Sequence, residues 1–178
     1  MIRMTIAYEG TAYVGWQWQP NGASIQRVIE EQLAVLTREK VSVVASGRTD
    51  AGVHALAQVA HFKTSSEMPC DRLLVSLNGL LPRDVVVVAL DEAPPGFHAR
   101  RSAKLKTYRY WIWNNRIASP FFRGTSWQIF QPLDVDAMNC AAAHLVGEHD
   151  FRSFRGQGAC TATSVRRIVR AADAVITT

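Results

Sequence analysis

Hydrophobic and polar positions in the first half of the chain follow two different periods, which together predict six elements. Apolar residues alternate with polar ones over Ile2–Tyr8, as expected for a half-buried strand. A helical period follows from Ser24, a candidate N-cap, to about Glu39, with apolar residues on one face. The remaining patterns predict two short strands, a helix that begins at a proline and a continuous apolar strand, over Val41–Ala45, Ala57–Phe62, Pro69–Asn78 and Val85–Leu90.

The last two of these elements carry more detailed expectations. Gly79 follows the second helix and is expected to end it, since glycine is common just past a helix C-terminus. The apolar run over Val85–Leu90 does not alternate, which predicts a strand covered on both faces. The order β-α-β-β-α-β is that of a split βαβ unit of the ferredoxin-like type, an antiparallel sheet with two helices on one face.

The second half of the chain has a shorter pattern of the same kind. Pro94-Pro95-Gly96 is the clearest linker, and it separates two expected domains, residues 1–95 and 96–178. The second domain is predicted to contain a strand, a helix and a strand, over Lys104–Trp113, Asp134–Gly147 and Ser164–Ala172. The expected fold class is therefore α+β, with one complete split βαβ unit followed by half of a second one.

A glycine-bracketed loop between two strands of the first half holds the strongest candidate for chemistry. In Gly47–Ala55, Asp50 is the single carboxylate, and Arg48 lies two positions before it. Gly47 and Gly52 permit backbone angles that can hold Asp50 at a sharp turn. A nearby guanidinium keeps a carboxylate ionised, which suits a nucleophile or a general base. From spacing alone, a structural salt bridge or a turn-capping aspartate explains the same residues more often.

A second loop, Tyr8–Gln19, is rich in aromatic and amide side chains, and two interpretations of it stay open. Its rings can form a hydrophobic plug over the sheet. Alternatively, they can face nucleic acid, since rings stack on bases and amides bond to base edges.

Composition is that of an ordinary globular protein with a basic excess. The 178 residues are 48% hydrophobic and 20% charged, with a formal charge of +5. Such a charge is compatible with a polyanionic partner but indicates one only weakly. The three cysteines, Cys70, Cys140 and Cys160, lie far apart, which argues against a disulfide framework and for a reducing compartment. The sequence has neither a signal-peptide run nor an apolar stretch of membrane length, so a cytoplasmic location is expected.

Cations interleaved with aromatic residues predict contacts to RNA phosphates. The expected phosphate-binding residues are Arg100, Arg101, Lys104, Lys106, Arg152 and Arg155. Taken singly, each of them is more typical of a solvated surface charge. The five histidines show no metal-ligand spacing, so no metal site is expected.

Five motifs along the chain resemble those of the tRNA pseudouridine synthase A family. They are Gly15-Trp16-Gln17, Gly47 through His54, Phe97-His98-Ala99-Arg100, Tyr108-Arg109-Tyr110 and Asp150-Phe151-x-Ser153-Phe154. The resemblance extends over essentially the whole chain. It implies two ferredoxin-like halves that form one mixed, mostly antiparallel sheet with helices on one face, and a basic cleft between the halves. It also implies a homodimer that acts on the anticodon arm of tRNA without a cofactor or a metal.

The resemblance assigns roles to three residues. Asp50 matches the family's catalytic aspartate, Arg48 its paired arginine, and Tyr108 the tyrosine that packs on the target uracil. The implied reaction is the isomerisation of uridine to pseudouridine in the anticodon stem-loop, at tRNA positions 38, 39 and 40. Asp50 can attack C1′, add to the base or remove the 2′ proton, and the sequence does not choose among these.

The C-terminus departs from the family pattern. Family members continue past Thr178 with a strand and a helix rich in Phe, His, Met and Arg, so a catalytically inactive RNA-binding fragment is the alternative function. A third hypothesis is a ferredoxin-like module for protein contacts or for a small regulatory ligand. RNA binding at low salt separates this third hypothesis from the other two.

Overall fold

The first part of the chain is built on one four-stranded sheet with two helices. The structure, a computed structural model, describes residues 1–154 and 163–172. The chain divides into two compact units, Met1–Tyr108 and Arg109–Thr178, and the predicted division after residue 95 stays a prediction. The first unit has the predicted order of six elements, namely β1 (Ile2–Tyr8), α1 (Ile25–Thr37), β2 (Val44–Ala45), β3 (Ala55–Phe62), α2 (Cys70–Leu80) and β4 (Val85–Glu92).

Strand β1 lies inside the sheet, because it pairs with both β3 and β4. The strand order is β2-β3-β1-β4, and every neighbouring pair is antiparallel. Met4 stands opposite Ala60 on one side and Leu90 on the other, and all three are buried. The centre of β1 is therefore also the centre of the apolar core.

The register of β1 is irregular on both sides near its C-terminal end. Against β4 the register shifts between Thr5 and Ile6, and against β3 it shifts between Ile6 and Tyr8. Irregularities of this kind bend a strand and increase its twist. The end of β1 that leads into the next loop is therefore turned relative to its beginning.

Helix α1 begins and ends at residues whose local chemistry is typical of helix boundaries. Ser24 is the N-cap, as predicted, and its hydroxyl accepts a hydrogen bond from the amide of Arg27 at 3.4 Å. The helix ends at Thr37, before Glu39, because Arg38 adopts a left-handed conformation with φ of 57°. The apolar face repeats once a turn and is fully buried, at Ile25, Ile29 and Leu33.

Helix α2 begins after Pro69, but the prediction that Gly79 ends it is wrong. Gly79 lies inside the helix, which continues one residue further. The helix stops because Pro82 follows Leu81, and a residue before proline is disfavoured in the helical conformation. Leu81 accordingly has extended backbone angles. The proline, rather than the glycine, fixes the helix end.

Strand β4 alternates between buried and exposed valines, which contradicts the prediction of coverage on both faces. Val85 and Val87 are buried, whereas 44% of Val86 and 57% of Val88 is exposed. Residues of both helices share one buried cluster with alternate residues of the strands. The helices therefore cover a single face of the sheet, whereas Val86 and Val88 on the other face reach solvent.

The segment Phe97–Ala99 packs on this helix-free face through His61 of β3. The amide of Ala99 donates to Nδ1 of His61 at 3.2 Å, and the rings of His61 and His98 lie 4.9 Å apart. Burial of His61, and secondarily the neighbouring His98, lowers the pKa of the His61 ring. The ring is therefore neutral at pH 7 and can accept the bond that fixes the chain after β4.

The second unit contains short elements and two separate two-stranded sheets in the residues that the structure describes. Its elements are β5 (Ile112–Asn114), β6 (Trp127–Ile129), α3 (Val135–Ala143), β7 (Gly147–Asp150), a 3-10 helix (Arg152–Phe154) and β8 (Val165–Ile168). Strands β5 and β6 are parallel, and strands β7 and β8 are antiparallel. Helix α3 begins after Asp134, whose carboxylate accepts from the amide of Ala137 at 2.9 Å.

Three expectations for the second half need correction. The strand predicted over Lys104–Trp113 forms only over Ile112–Asn114, since residues 104–110 pair with no described strand and residues 104–111 are all exposed. The last strand covers Val165–Ile168 instead of Ser164–Ala172. The described strands form three sheets instead of one. The strands of the second unit contain three or four residues and no buried residue, so they offer little apolar area for a larger sheet.

Candidate active site

The Asp50 loop (Gly47–His54) connects β2 to β3, and its first residues are tied to β3. The side-chain amide of Gln58 donates to the Gly47 carbonyl at 2.5 Å, and the hydroxyl of Ser46 donates to Oε1 of Gln58 at 2.9 Å. The amide of Ser46 also donates to the Val59 carbonyl at 2.8 Å. The loop therefore starts from a backbone position that the sheet fixes.

A second loop, which we call the N-terminal loop (residues 9–24), holds the Asp50 loop on both sides of the aspartate. The amide of Trp16 donates to the Thr49 carbonyl at 2.9 Å. On the other side, the amide of Gly52 donates to the Tyr13 carbonyl at 3.3 Å. The backbone is thus bonded directly before Asp50 and two residues after it.

Two glycines of the N-terminal loop are required by this close approach. A Cβ atom at Gly15 would lie 2.5 Å from the Thr49 carbonyl oxygen, and Gly15 has φ of +107°. A Cβ atom at Gly10 would lie 2.1 Å from the Val53 carbonyl oxygen. Both contacts are shorter than any real Cβ contact, so the two loops can touch only where the side chain is a hydrogen atom.

The aromatic residues of the N-terminal loop mostly support the hydrophobic-plug interpretation. Tyr13 and Trp16 are buried, and only Trp18 is half exposed. The hydroxyl of Tyr13 donates to Asp84 at 2.7 Å, and burial together with this bond raises the pKa of Tyr13 above its usual range. Among these three rings, Trp18 alone has a surface that could stack on a base.

Asp50 lies in an open cleft at the junction of the two loops. The cleft has a volume of about 410 Å³ and is lined by Val14, Gln17, Gln19, Arg48, Thr49, Asp50 and Ala51. The side chain of Asp50 is exposed, and its carboxylate accepts no hydrogen bond from any residue in the described part of the chain. The loops therefore hold the backbone of Asp50 and leave its carboxylate available to a ligand.

Arg48 lines the same cleft, but it does not form the close ion pair with Asp50 that the sequence predicted. No contact within 4.0 Å joins the two side chains, and both are exposed to solvent. A solvated ion pair of this kind contributes about 0–1 kcal/mol at most, so nothing forces the two groups together in the free protein. A role for Arg48 toward a bound anion stays a prediction.

Tyr108 does not line the cleft, and 79% of its side chain is exposed. The neighbouring Lys106, however, reaches the Asp50 loop: a Cβ atom built on Gly47 would lie 2.8 Å from Nζ of Lys106. The segment that carries Tyr108 therefore passes beside the first residue of the Asp50 loop. The stacking role of Tyr108 stays a prediction.

The other predicted phosphate-binding residues have different surroundings. Arg100, Arg101 and Lys104 are exposed in the first unit. In the second unit, Arg152 forms an ion pair with Asp150 at 3.3 Å, and a hydrogen bond from Ser164 lowers the pKa of that carboxylate. Arg155 lies outside the residues that the structure describes, as does Cys160.

Sequence reasoning did not find the residues that hold the Asp50 loop through their side chains. The hydroxyls of Tyr8 and Thr49 lie 2.9 Å apart although the two residues are separated by 41 positions. The amide of Gly10 donates to Nδ1 of His54 at 3.0 Å. A single sequence carries no signal for such distant partners, although the motif that contains Thr49 and His54 marked the correct loop.

Neither a cluster of metal ligands nor a membrane-spanning helix is found in the described part of the chain. Among residues 1–154 and 163–172, no three His, Cys, Asp or Glu side chains come together as metal ligands. Within the same ranges, no helix has both the length and the apolar character that a membrane span requires.

Comparison with protein families gives an independent assignment of the first unit. The family model described as tRNA pseudouridine synthase matches residues 4–100, which include the whole sheet of the first unit from Met4 onward and the Asp50 loop.

Curated relatives carry the similarity through most of the chain. The tRNA pseudouridine synthase A of Myxococcus xanthus is 50% identical over 167 residues, which are 94% of this chain and 63% of the relative. The enzyme of the same name from Pelobacter propionicus is 47% identical and is covered to 68%. That of Caldicellulosiruptor bescii is 46% identical over 170 residues and is covered to 70%. The chain thus spans about two thirds of the length of these relatives.

The family model assigns residues 4–100, which contain the α+β unit and the Asp50 loop, to the class of pseudouridine synthases. Within that class, the chain belongs to the tRNA pseudouridine synthase family. The resemblance inferred from the five motifs is confirmed.

Proposed function

We propose that this chain converts uridine to pseudouridine in tRNA, with Asp50 as the catalytic carboxylate. One observation carries the proposal: the backbone around Asp50 is bonded to a second loop, while its carboxylate faces an open cleft without a partner among the described residues. A group that is fixed in position and unused by the fold is available for chemistry. Membership of the family supplies the reaction.

The reaction explains why a single carboxylate suffices. The C1′–N1 bond breaks, the detached uracil turns, and C1′ bonds to C5, after which the C5 proton leaves and N1 gains a proton. Cleavage of a glycosidic bond builds positive charge at C1′, which an ionised carboxylate stabilises or traps. Because the base re-adds instead of being replaced by water, a second carboxylate to activate water is unnecessary. Attack at C1′, addition to the base and removal of the 2′ proton remain the three roles open to Asp50.

The substrate we propose is the anticodon stem-loop of tRNA, bound by a homodimer. The target uridine must leave its stack, which costs a few kcal/mol, and an exposed ring such as Tyr108 can return about 1–3 kcal/mol by stacking on the base. Arg48 in the cleft and Lys106 beside Gly47 supply cations for the flanking phosphates. The strand order β2-β3-β1-β4 supports a split βαβ unit of the ferredoxin-like type as the scaffold.

The test is the isosteric substitution Asp50→Asn, assayed for pseudouridine in a tRNA transcript. We expect the product to fall to the level found without protein, while tRNA binding and the thermal midpoint stay unchanged. Asp71→Asn is the matched control, since Asp71 is an exposed carboxylate in the first turn of α2 and does not line the cleft. Product formation by Asp50→Asn at the wild-type rate would refute the proposal.

A second candidate function is RNA binding without catalysis. The observation in its favour is that the chain spans only 63% of the Myxococcus relative, so the activity of the whole relative is not assumed for it. This candidate predicts salt-dependent tRNA binding by wild type and Asp50→Asn alike, with no pseudouridine from either. If neither protein binds tRNA at low salt, the third hypothesis, a module for protein contacts or a small ligand, takes precedence.

A further inference from the structure

A hydrogen bond between two hydroxyls connects the Asp50 loop to the interior of the first unit. The hydroxyl of Tyr8 lies 2.9 Å from Oγ1 of Thr49, the residue directly before Asp50. Tyr8 is the last residue of β1 and is only 5% exposed, with its ring against that of Trp16. Burial raises the pKa of Tyr8, so its hydroxyl stays protonated throughout the neutral range.

This bond differs in origin from the two backbone bonds that flank Asp50. Those bonds come from Trp16 and Tyr13, which belong to a loop. The Tyr8 bond comes from β1, which is paired on both sides and contributes to the centre of the core. It therefore fixes the position of Thr49 relative to a strand inside the sheet.

Thr49 also lines the cleft that contains Asp50. A β-branched side chain has few allowed rotamers, and a hydrogen bond to one fixed partner selects among them. The rotamer of Thr49 is consequently set from inside the protein, one residue before the candidate catalytic carboxylate. Loss of the Tyr8 hydroxyl would free this rotamer without removing any group from the cleft.

We propose that Tyr8 is a positioning residue for the pseudouridine synthase reaction, which acts through Thr49 to hold Asp50 in its productive orientation. The inference rests on the proposed function and adds to it a residue that does not touch the substrate. Misplacement of a reacting group by about 1 Å can lower the rate about a hundredfold. The hydroxyl of Tyr8 therefore contributes to turnover and has little influence on tRNA binding.

The test compares two buried hydroxyls in the full chain. Tyr8→Phe removes the bond to Thr49, and Thr37→Val, at a residue that does not line the cleft, removes the bond from another buried hydroxyl to the Leu33 carbonyl of α1. We expect Tyr8→Phe to lower kcat about tenfold or more with KM changed less than about twofold. Thr37→Val lowers the thermal midpoint and leaves kcat at the wild-type value.

Substitutions at Thr49 give an independent rescue experiment. Thr49→Val removes the hydroxyl and is expected to lower kcat as much as Tyr8→Phe, whereas Thr49→Ser keeps the hydroxyl and retains most of the activity. The Tyr8 hydroxyl also has the Gln58 side chain as a partner, so combining Tyr8→Phe with Thr49→Val should cost no more than Tyr8→Phe alone, because the bond between the two hydroxyls is then already lost. Additive losses, or a failure of the serine to rescue, would overturn the inference.

Amide exchange of residues 47–54 separates failure of this inference from failure of the proposed function. We expect faster exchange in this segment in Tyr8→Phe and wild-type exchange in Thr37→Val. If wild type forms no pseudouridine, the proposed function fails, and the exchange comparison alone decides whether Tyr8 orders the loop. Equal exchange in the two variants would overturn the positioning role whatever the activity.

Discussion

The two units of the molecule contrast in how much of their apolar surface they bury. Every buried core residue that the structure describes belongs to the first unit, from Met4 to Ala99. In the second unit, no described residue is buried, and large rings such as Phe121 and Phe154 are 88% and 80% exposed. Since burial of apolar area is the main source of folding free energy, the first unit has the means to fix a loop in place and the second has far less.

The candidate site lies in the unit that buries more apolar surface. Asp50 is exposed, yet its loop is bonded to β3, to β1 and to the N-terminal loop, all within the first unit. The residues that make these bonds include Tyr8, Tyr13 and Trp16, whose side chains are buried. A rigid site on a loop therefore depends on what the loop is attached to, and not on its own secondary structure.

The largest expected effect comes from removing one large ring in each unit. Phe62→Ala in the first unit, where the side chain is 1% exposed, should destabilise the protein by about 3–5 kcal/mol. Phe121→Ala in the second unit should change the free energy of unfolding by less than about 0.5 kcal/mol. Chemical denaturation followed by tryptophan fluorescence measures both values. Similar losses at the two positions would mean that the second unit has a core of its own.

The next prediction concerns the contact between the two loops of the first unit. Gly15→Ala should destabilise the fold by more than the roughly 1–2 kcal/mol of a left-handed backbone alone, because the new Cβ would lie 2.5 Å from the Thr49 carbonyl. Gly52→Ala is the control, since Gly52 also has positive φ (+77°) but a Cβ there meets nothing within 4 Å. Thermal unfolding ranks the two variants, and an equal loss would show that the loops separate easily.

Alkaline pH should weaken the first unit through its buried tyrosines. Burial raises the pKa of Tyr8 and of Tyr13 in the folded state. Their contribution to the free energy of unfolding is therefore complete below the unfolded pKa of about 10. Above that pH the unfolded chain loses these protons first, and stability falls by up to about 1.4 kcal/mol per pH unit for each tyrosine. Denaturation between pH 8 and pH 11, as rough limits, should show a smaller decline in the Tyr8→Phe, Tyr13→Phe double variant.

Tyr110 provides the control in the second unit for this pH experiment. It is 90% exposed, so its side chain is in contact with water in both the folded and the unfolded chain. Tyr110→Phe should therefore leave the decline of stability with pH unchanged. A decline that Tyr110→Phe removes would contradict the contrast between the units.

The smallest effect distinguishes the helix caps of the two units. Ser24→Ala removes the cap of α1 and should cost about 1 kcal/mol of global stability, since α1 is part of the core. Asp134→Ala removes the equivalent cap of α3, a helix without a buried residue. This loss should appear as faster amide exchange in α3 without a change in the main unfolding midpoint. A shift of that midpoint by Asp134→Ala would show that the two units unfold together.

The sequence predicted those parts of the fold whose signals are local. The alternation of Ile2–Tyr8, the cap at Ser24 and the order of the first six elements are all found in the structure. The predictions that failed concern features that depend on residues far away in the sequence. The apolar run of β4 cannot reveal that one face of the sheet lacks helices, and residues 104–110 cannot reveal that no described strand pairs with them.

For the site, the motif located the correct loop but not what holds it. The glycines and the single carboxylate of the Asp50 loop are visible in sequence, and the family assignment that they supported is confirmed. The bond from Tyr8 to Thr49 and the required absence of a side chain at Gly15 arise only when β1 and the N-terminal loop meet the Asp50 loop. Such contacts depend on three segments at once, which periodicity and spacing do not encode.

The irregular register at the end of β1 makes the number of residues in this strand as important as their identity. Side chains alternate along a strand, so an insertion or deletion of one residue before Tyr8 would move its ring from the buried face to the open one. The phenol would then point away from Thr49, although every residue of the motif around Asp50 was intact. The number of residues between the paired centre of β1 and Tyr8 is therefore itself a functional property of this molecule.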